Sequence, residues 1–303
     1  MRAWLLAAAF LAGCGRPPEP EAPPDPPAPE LPALPDFEPA GAGEIERDAH
    51  AVLPPAGGAA SLAWDFSERA HHVYGYAQES HLVVTSDARG DTTSASMRGR
   101  HDGIAEFVGG GGGRGVLRFK STPREQTVND QPITGEELNQ IKPVLFECLL
   151  REDGDFTSWT KHSGDTDYPL LDLLFALPGK PLAPGDRDTR EVHRAGGRND
   201  FQYHGKLTIS HAGRRKVGRS ECVKLLSEVE IELTPPADGK GRMRGRIAGY
   251  FDPETRRFAK VEAVFSMAAH TRTLLRPKDE KIGPFWNIGK LRSDTKITLE
   301  LKD

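Results

Sequence analysis

The chain has 303 residues, of which 37% are hydrophobic, with 32 glycines, 25 prolines and a formal net charge of −4. That mildly acidic balance excludes a globally basic nucleic-acid-binding protein. The aromatic content of 7% and the abundant glycine fit a turn-rich sheet protein, long enough for one large β domain or two joined halves.

The first elements in the chain concern location. Arg2 precedes an apolar run from Trp4 to Leu11, and small residues lead to Cys14, which is the layout of a secretory signal peptide. The run is far shorter than the roughly 20 residues that span a bilayer. The tetrad Leu11-Ala12-Gly13-Cys14 resembles the lipidation box of bacterial lipoprotein precursors. The resemblance implies removal of residues 1–13, a thioether-linked diacylglycerol on Cys14 and an acyl chain such as palmitate on the new amino terminus. Gly15 follows the cysteine where Asp would imply retention at the inner membrane, so the outer membrane is the expected address. Each buried methylene contributes about 0.8 kcal/mol, so two or three chains anchor firmly. The expected partner is therefore the membrane, reached through Cys14. An envelope lipid, polysaccharide or protein is a further candidate, and nucleic acid is not.

Residues 14–43 pair the lipidated cysteine with a run of Pro, Ala and acidic residues that includes Glu19, Glu21, Asp25, Glu30, Asp36 and Glu38. Proline removes amide donors and fixes φ. With few bulky apolar residues to bury, the segment is expected to be a disordered, extended tether.

Residues 44–121 read as an N-terminal β half. Leu62, Trp64 and Phe66 alternate at strand period, and a longer strand from His71 to Thr85 carries Tyr74 and Tyr76 on one face. Strands over 92–100 and 104–108 are separated by His101-Asp102-Gly103, an Asp-Gly turn signal. Gly109–Gly113 lacks the Gly-Lys-Ser/Thr ending of a phosphate loop, and a strand over 116–120 follows it, so a hairpin loop is expected.

Residues 122–185 read as a connecting segment with two short helices. Thr134 and Glu137 form a capping box, and Pro143 stops that helix near Lys142. An apolar strand over 144–150 turns at Glu152-Asp153-Gly154-Asp155 into a strand over 156–161. A second helix, capped near Asp167 or Tyr168 with Pro169 in its first turn, places Leu170, Leu173, Leu174 and Leu177 on one face.

Residues 186–303 read as a C-terminal β half with strands over 187–194, 201–211, 220–233, 242–251 and 258–270 and a final strand carrying Ile297, Leu299 and Leu301. Within 220–233, Val223, Leu225, Val229, Ile231 and Leu233 share one face, and Lys224, Glu228, Glu230 and Glu232 share the other, the mark of an antiparallel sheet with one wet face. The fold class is thus mainly β (α+β): curved antiparallel sheet in two β-rich halves, forming one globular unit.

Two stretches, 177–186 (Leu-Pro-Gly-Lys-Pro-Leu-Ala-Pro-Gly-Asp) and 249–258 (Gly-Tyr-Phe-Asp-Pro-Glu-Thr-Arg-Arg-Phe), resemble motifs of uncharacterised β-rich bacterial lipoproteins of unknown function. In those relatives a Trp often follows the Gly-Asp, whereas Arg187-Asp188 stands here. The general plan is also similar to that of periplasmic lipoprotein carriers, an analogy of fold only.

Motifs that carry chemistry are few. His71 and His72 point to opposite faces of a strand, and His204 and His211 differ in parity. No His-Glu-x-x-His, Cys-x-x-Cys, Asp-rich calcium loop or Gly-x-Ser-x-Gly elbow occurs. No catalytic residue, metal or cofactor is therefore expected. With Cys14 lipidated, Cys148 and Cys222 can form at most one disulfide, and two separate thiols are the favoured state. The basic runs 214–219 and 240–246 read as a solvated turn and a strand face balanced by Glu228, Glu230 and Glu232.

The leading expectation is a non-enzymatic, lipid-anchored envelope protein acting as a tethered binding or structural module. The alternative is a carrier or sensor of a lipid or other apolar ligand on a concave sheet, lined by Trp64, Tyr74, Tyr76, Leu170 and Leu174. An envelope hydrolase is the second alternative.

Overall fold

The computed structural model describes residues 25–47, 50–55, 58–141, 143–163, 170–194, 202–235, 238–277 and 283–302. Residues 1–24, with Cys14, and the expected helix caps at 167–169 lie outside them. The elements in chain order are α1 (Ala42–Glu46), β1 (Ala51–Leu53), β2 (His71–Ala88), β3 (Asp91–Gly109), β4 (Arg114–Val128), β5 (Gln131–Pro132), α2 (Gly135–Gln140), β6 (Val144–Arg151) and β7 (Phe156–Ser163). They continue as α3 (Leu171–Leu174), β8 (Arg187–Arg194), β9 (Gln202–Val217), β10 (Ser220–Thr234), β11 (Gly239–Asp252), β12 (Arg257–Leu275) and β13 (Phe285–Lys302).

All the pairings are antiparallel, and the strands form one sheet in the order β1-β9-β10-β11-β12-β13-β2-β3-β4-β6-β7, with β8 on β9 and β5 on β4. The fold class expected from the sequence holds. The two halves are two arcs of a single sheet, and its seam is β2 against β13, paired from Val73–Lys302 to Ala88–Asn287. The sheet curls enough for its far edges to meet, since Arg190 of β8 donates to Asp155, in the turn before β7, at 3.0 Å.

The concave side holds the main core. Trp64 sits at its centre, fully buried, with ring centroids 4.9 Å from Phe107, 5.4 Å from Phe258 and 5.6 Å from Phe175. Such aromatic pairs each contribute about 0.5–1.5 kcal/mol beyond the area they bury. The alternation at Leu62, Trp64 and Phe66 reports burial and not a ladder. This stretch is extended but irregular, and Trp64 N–H donates to Glu152 C=O outside any strand pairing.

Several expectations need correction. His101-Asp102-Gly103 is no turn, because β3 runs straight through it, pairing with Gln78, Ala77 and Tyr76. Its glycine answers to close approach, since a Cβ on Gly103 would lie 2.2 Å from the Lys120 carbonyl oxygen. The leucine helix is a single turn, Leu171–Leu174, because its burial is tertiary and the chain then lies flat inside the core. By contrast, the capping box at Thr134 and Glu137 forms as read, with both reciprocal bonds present. β13 also begins earlier than its apolar end implied, at Phe285.

The largest correction concerns the proline segment. Residues 25–40 are without regular structure, as proline dictates, yet they are not a free tether. They cross the convex face of the sheet as a strap. Proline-rich chain leaves its carbonyls unpaired, and the sheet supplies donors to them. Trp286 Nε1 donates to Pro26 C=O at 2.9 Å, Arg272 to Pro29 at 2.6 Å, Lys240 to Leu31 at 3.2 Å and Arg244 to Phe37 at 2.9 Å. α1 ends the strap by burying Ile45 on Ala248, Tyr250 and Val264. β11 and β12 are therefore covered on both faces.

Candidate functional site

The residues expected to line an apolar site turn out to fill the closed end of the concave face. Trp64, Tyr74 and Tyr76 are buried in the main core, as is Leu174, while Leu170 packs at its margin. Their polar atoms are spoken for: Trp64 Nε1 donates to Phe175 C=O at 3.3 Å, Tyr74 Oη to Phe258 C=O at 2.9 Å, and Tyr76 Oη to Gln78 Oε1. Burial holds both phenols in the protonated state well beyond their ordinary range. Rings packed at van der Waals contact leave no room for a ligand, so these residues are structural.

The strands do not stop where this core ends. Because opposed residues in antiparallel strands share a face, the register traces the concave side outward from Tyr76. Next come Gln78 opposite His101, then Ser80 opposite Gly99, with Thr295 and Gln126 on either side. This forms a polar waist, and burial depresses His101 from the ordinary histidine range. Beyond it the face turns apolar again. Leu82 lies between Met97 and Ser293, Val84 between Ala95 and Leu291, and Val128 beyond Met97. Val84 is 40% exposed and Met97 37%, so this outer half of the trough is open. No side chain of β2 beyond Tyr76, or of β3 before Ala105, is fully buried. An apolar floor above a few hydrogen-bonding groups is what an elongated apolar ligand needs.

The remaining leads resolve into structural roles. His71 Nε2 lies 2.9 Å from Glu106, while His72 points inward with Nδ1 3.4 Å from Arg257. Burial and then that guanidinium lower the His72 pKa. His211, on the concave side, bonds the Leu182 carbonyl at 3.1 Å. The acidic turn 152–155 carries the core, since Leu177 N–H donates to Asp153 C=O and Trp64 N–H to Glu152 C=O. Among the described residues no group of three or more His, Cys, Asp or Glu is placed to hold a metal ion. A cleft of ≈730 Å³ at the closed end is ringed by Gly112–Arg114, Arg151–Asp153 and Pro178–Pro181. Its rim mixes both charge signs.

Cys148 belongs to the concave core and Cys222 to the convex cluster under α1, so no disulfide joins them. Burial, with Asp252 nearby, pushes the Cys222 thiol up to about 12. The basic strand face is balanced as the sequence predicts, with Glu228 opposite Arg246, Glu230 opposite Arg244 and Glu232 opposite Arg242. The strap adds a second acidic partner that sequence reasoning missed, Asp36, 2.8 Å from Arg244. The available signal was the match between an acidic proline run and alternating Lys240, Arg242, Arg244 and Arg246.

No protein-family model matches the chain, and no curated protein matches it. Among solved structures it is loosely similar to a DUF1329 family protein from Desulfovibrio piger, at 8% identity over 72% of this chain and 83% of that one, with a TM-score of 0.14. It overlaps the InvG secretin domain β-barrel of the Salmonella SPI-1 injectisome at 10% identity (77% and 62% covered, TM-score 0.15). It overlaps a Pseudomonas aeruginosa FadL homologue at 7% identity (76% and 90% covered, TM-score 0.19). Overlaps this loose assign the chain to no family and say nothing of what it binds.

Proposed function

We propose that the protein is a non-enzymatic, lipid-anchored binding module of the bacterial cell envelope, which takes an acyl chain or similar elongated apolar ligand in the outer half of its trough. The observation that carries this reading is the apolar floor at half-buried Leu82 and Leu291 and exposed Val84 and Met97, next to the polar waist at Gln78 and His101. The anchor is the diacylglycerol expected on Cys14 from the Leu11–Cys14 box.

Native mass spectrometry of the protein extracted from its own membranes tests the ligand. A stoichiometric adduct that dissociates on activation, and that Val84→Glu abolishes, supports binding. A clean mass without the adduct removes the ligand and leaves a structural module. Growth with an alkyne-bearing fatty acid tests the anchor independently, since the covalent label must vanish in Cys14→Ala.

A further inference from the structure

We infer that the trough selects a lipid with an uncharged, oxygen-bearing head, an acyl ester of glycerol, over the same acyl chain on a carboxylate or a phosphate. The inference rests on the acyl-binding reading proposed above and adds to it the chemistry of the head.

The first ground is how charge is divided between the two faces. Charged residues make up 28% of the chain, yet around β2 they keep to one side of the sheet. From the row of Gln78 to the row of Ser86, no concave position of β3, β2, β13, β12 or β11 holds Asp, Glu, Lys or Arg. The convex positions between those rows carry Glu79, Arg98, Arg100, Lys290, Asp294 and Lys296. Two charges close to this region are already engaged. Arg124, at the β3–β4 bulge, donates at 3.1 Å to Asp102, which stands on the convex face opposite Ala77. Asp172 of α3 accepts the Tyr203 hydroxyl on the β9 side of the sheet. The rim beyond the row of Ser86 carries both signs, Asp91 and, with its guanidinium 5.4 Å from the Phe285 ring centroid, Arg89. A carboxylate or phosphate laid at the waist therefore sheds water and meets no cation, which is costly for a charge leaving solvent.

The second ground is what the waist offers in place of charge. Gln78 Oε1 accepts the Tyr76 hydroxyl, which leaves the Gln78 amide N–H groups as donors. Opposite Gln78, the His101 ring makes no hydrogen bond among the described residues. A Cβ on Gly99 would lie 3.3 Å from Ser80 Oγ and 3.7 Å from His101 Nε2, so these two polar atoms converge over the bare glycine. Thr295 adds a hydroxyl from β13, opposite Ser80. Burial holds His101 below the ordinary histidine range, against a weaker upward pull from Asp102. Near neutral pH the ring thus brings one donor, one acceptor and no charge. Neutral donors and acceptors beside an apolar floor match an ester carbonyl and a glycerol hydroxyl. The floor at Leu82, Val84 and Met97 then takes the acyl chain.

The test holds the acyl chain constant and changes the head. The full chain, purified from its membranes and stripped of bound lipid, is titrated with mono-oleoylglycerol, oleate or oleoyl lysophosphatidylglycerol, and adducts are read by native mass spectrometry. The glycerol ester is expected to bind about tenfold more tightly than either anion, since an unpaired charge at the waist outweighs a lost hydrogen bond. Gln78→Leu should weaken the ester several-fold and leave oleate unchanged. Thr295→Lys, which sets a cation at the waist, should strengthen oleate about tenfold. Circular dichroism of both variants must match the parent. An anion that binds the parent as tightly as the ester overturns the uncharged head and spares the acyl trough. Ester adducts that survive Val84→Glu lie elsewhere and also overturn it. No adduct with any of these lipids ends the trough reading, and the head preference with it.

Discussion

The strap makes Ile45→Ala the most informative single change. Ile45 is 5% exposed and packs on Ala248, Tyr250 and Val264, while the strap's charged partners are open to water, with Asp36 81% and Glu38 71% exposed. Exposed pairs contribute about 0.2–1 kcal/mol each and are screened as the Debye length falls below about 10 Å. Truncating a buried isoleucine costs about 2–5 kcal/mol, and the lower half of that range applies here because a surface strap can settle into the space left behind. The effect has a ceiling, since a strap that has lost its purchase simply lifts, and the sheet beneath keeps its concave core. The loss in urea-unfolding free energy for Ile45→Ala is therefore expected near 2–3 kcal/mol, and never more than that of a chain lacking residues 25–47. Limited proteolysis should cleave the variant within 25–47 while the parent resists, and raising salt alone should not expose the parent. A loss exceeding the deletion would mean that Ile45 supports the main core. An unchanged unfolding curve with unchanged cleavage would mean that the strap rests on something else.

Further outcomes follow from the same geometry. Gly103→Ala pushes a Cβ to 2.2 Å from the Lys120 carbonyl oxygen. Overpacking of this kind costs about 1–3 kcal/mol, so a lower thermal midpoint is expected, and an unchanged midpoint would contradict the tight β3–β4 approach. His72 and His101 both titrate below the ordinary value of 6.5 when folded. Above that value both states are neutral and nothing changes. As pH falls through 6.5 the unfolded chain takes up protons first, so stability declines until the lowered folded values are passed. His72→Gln should flatten part of that decline in pH-resolved melts, and an unaltered slope would remove His72 as its source. Thiol titration should find Cys148 and Cys222 reduced, slow to alkylate when folded and quick in denaturant. A missing thiol pair in denaturant would refute their separation.

The sheet was legible wherever burial alternates. Val223 to Leu233 and its glutamate face pair as their period implies, and the capping box at Thr134 reads correctly because all its determinants are local. Failures arose where one signal has two physical causes. Glycine beside aspartate marks a turn or a close approach, and at Gly103 only the neighbouring Lys120 carbonyl decides. Leucines at helical spacing mark a helix or a chain buried on all sides, and the residues following Leu174 are the second. Proline marks disorder only if nothing supplies donors, and the arginines that supply them lie more than 200 residues away. The candidate site failed in the same way. Trp64 and Tyr74 were visible as large rings, but whether rings fill a space or line one depends on elements far apart in the chain. The open floor at Val84 and Met97 carried no sign of its own, since nothing local to either strand tells where the residues that cover the sheet run out.

The seam between β2 and β13 has a consequence in time. It sets Val73 against Lys302, with the rest of the sheet strung between them. The first arc can pair its hairpins as soon as they are made, because β2, β3 and β4 are neighbours in sequence. The seam, by contrast, must wait for residues 285–302. Long-range closure of this kind is slow. Until it happens, β2 keeps an unpaired edge that only the end of the strand series can satisfy. The sheet therefore cannot close around its aromatic core until residues 285–302 have been made.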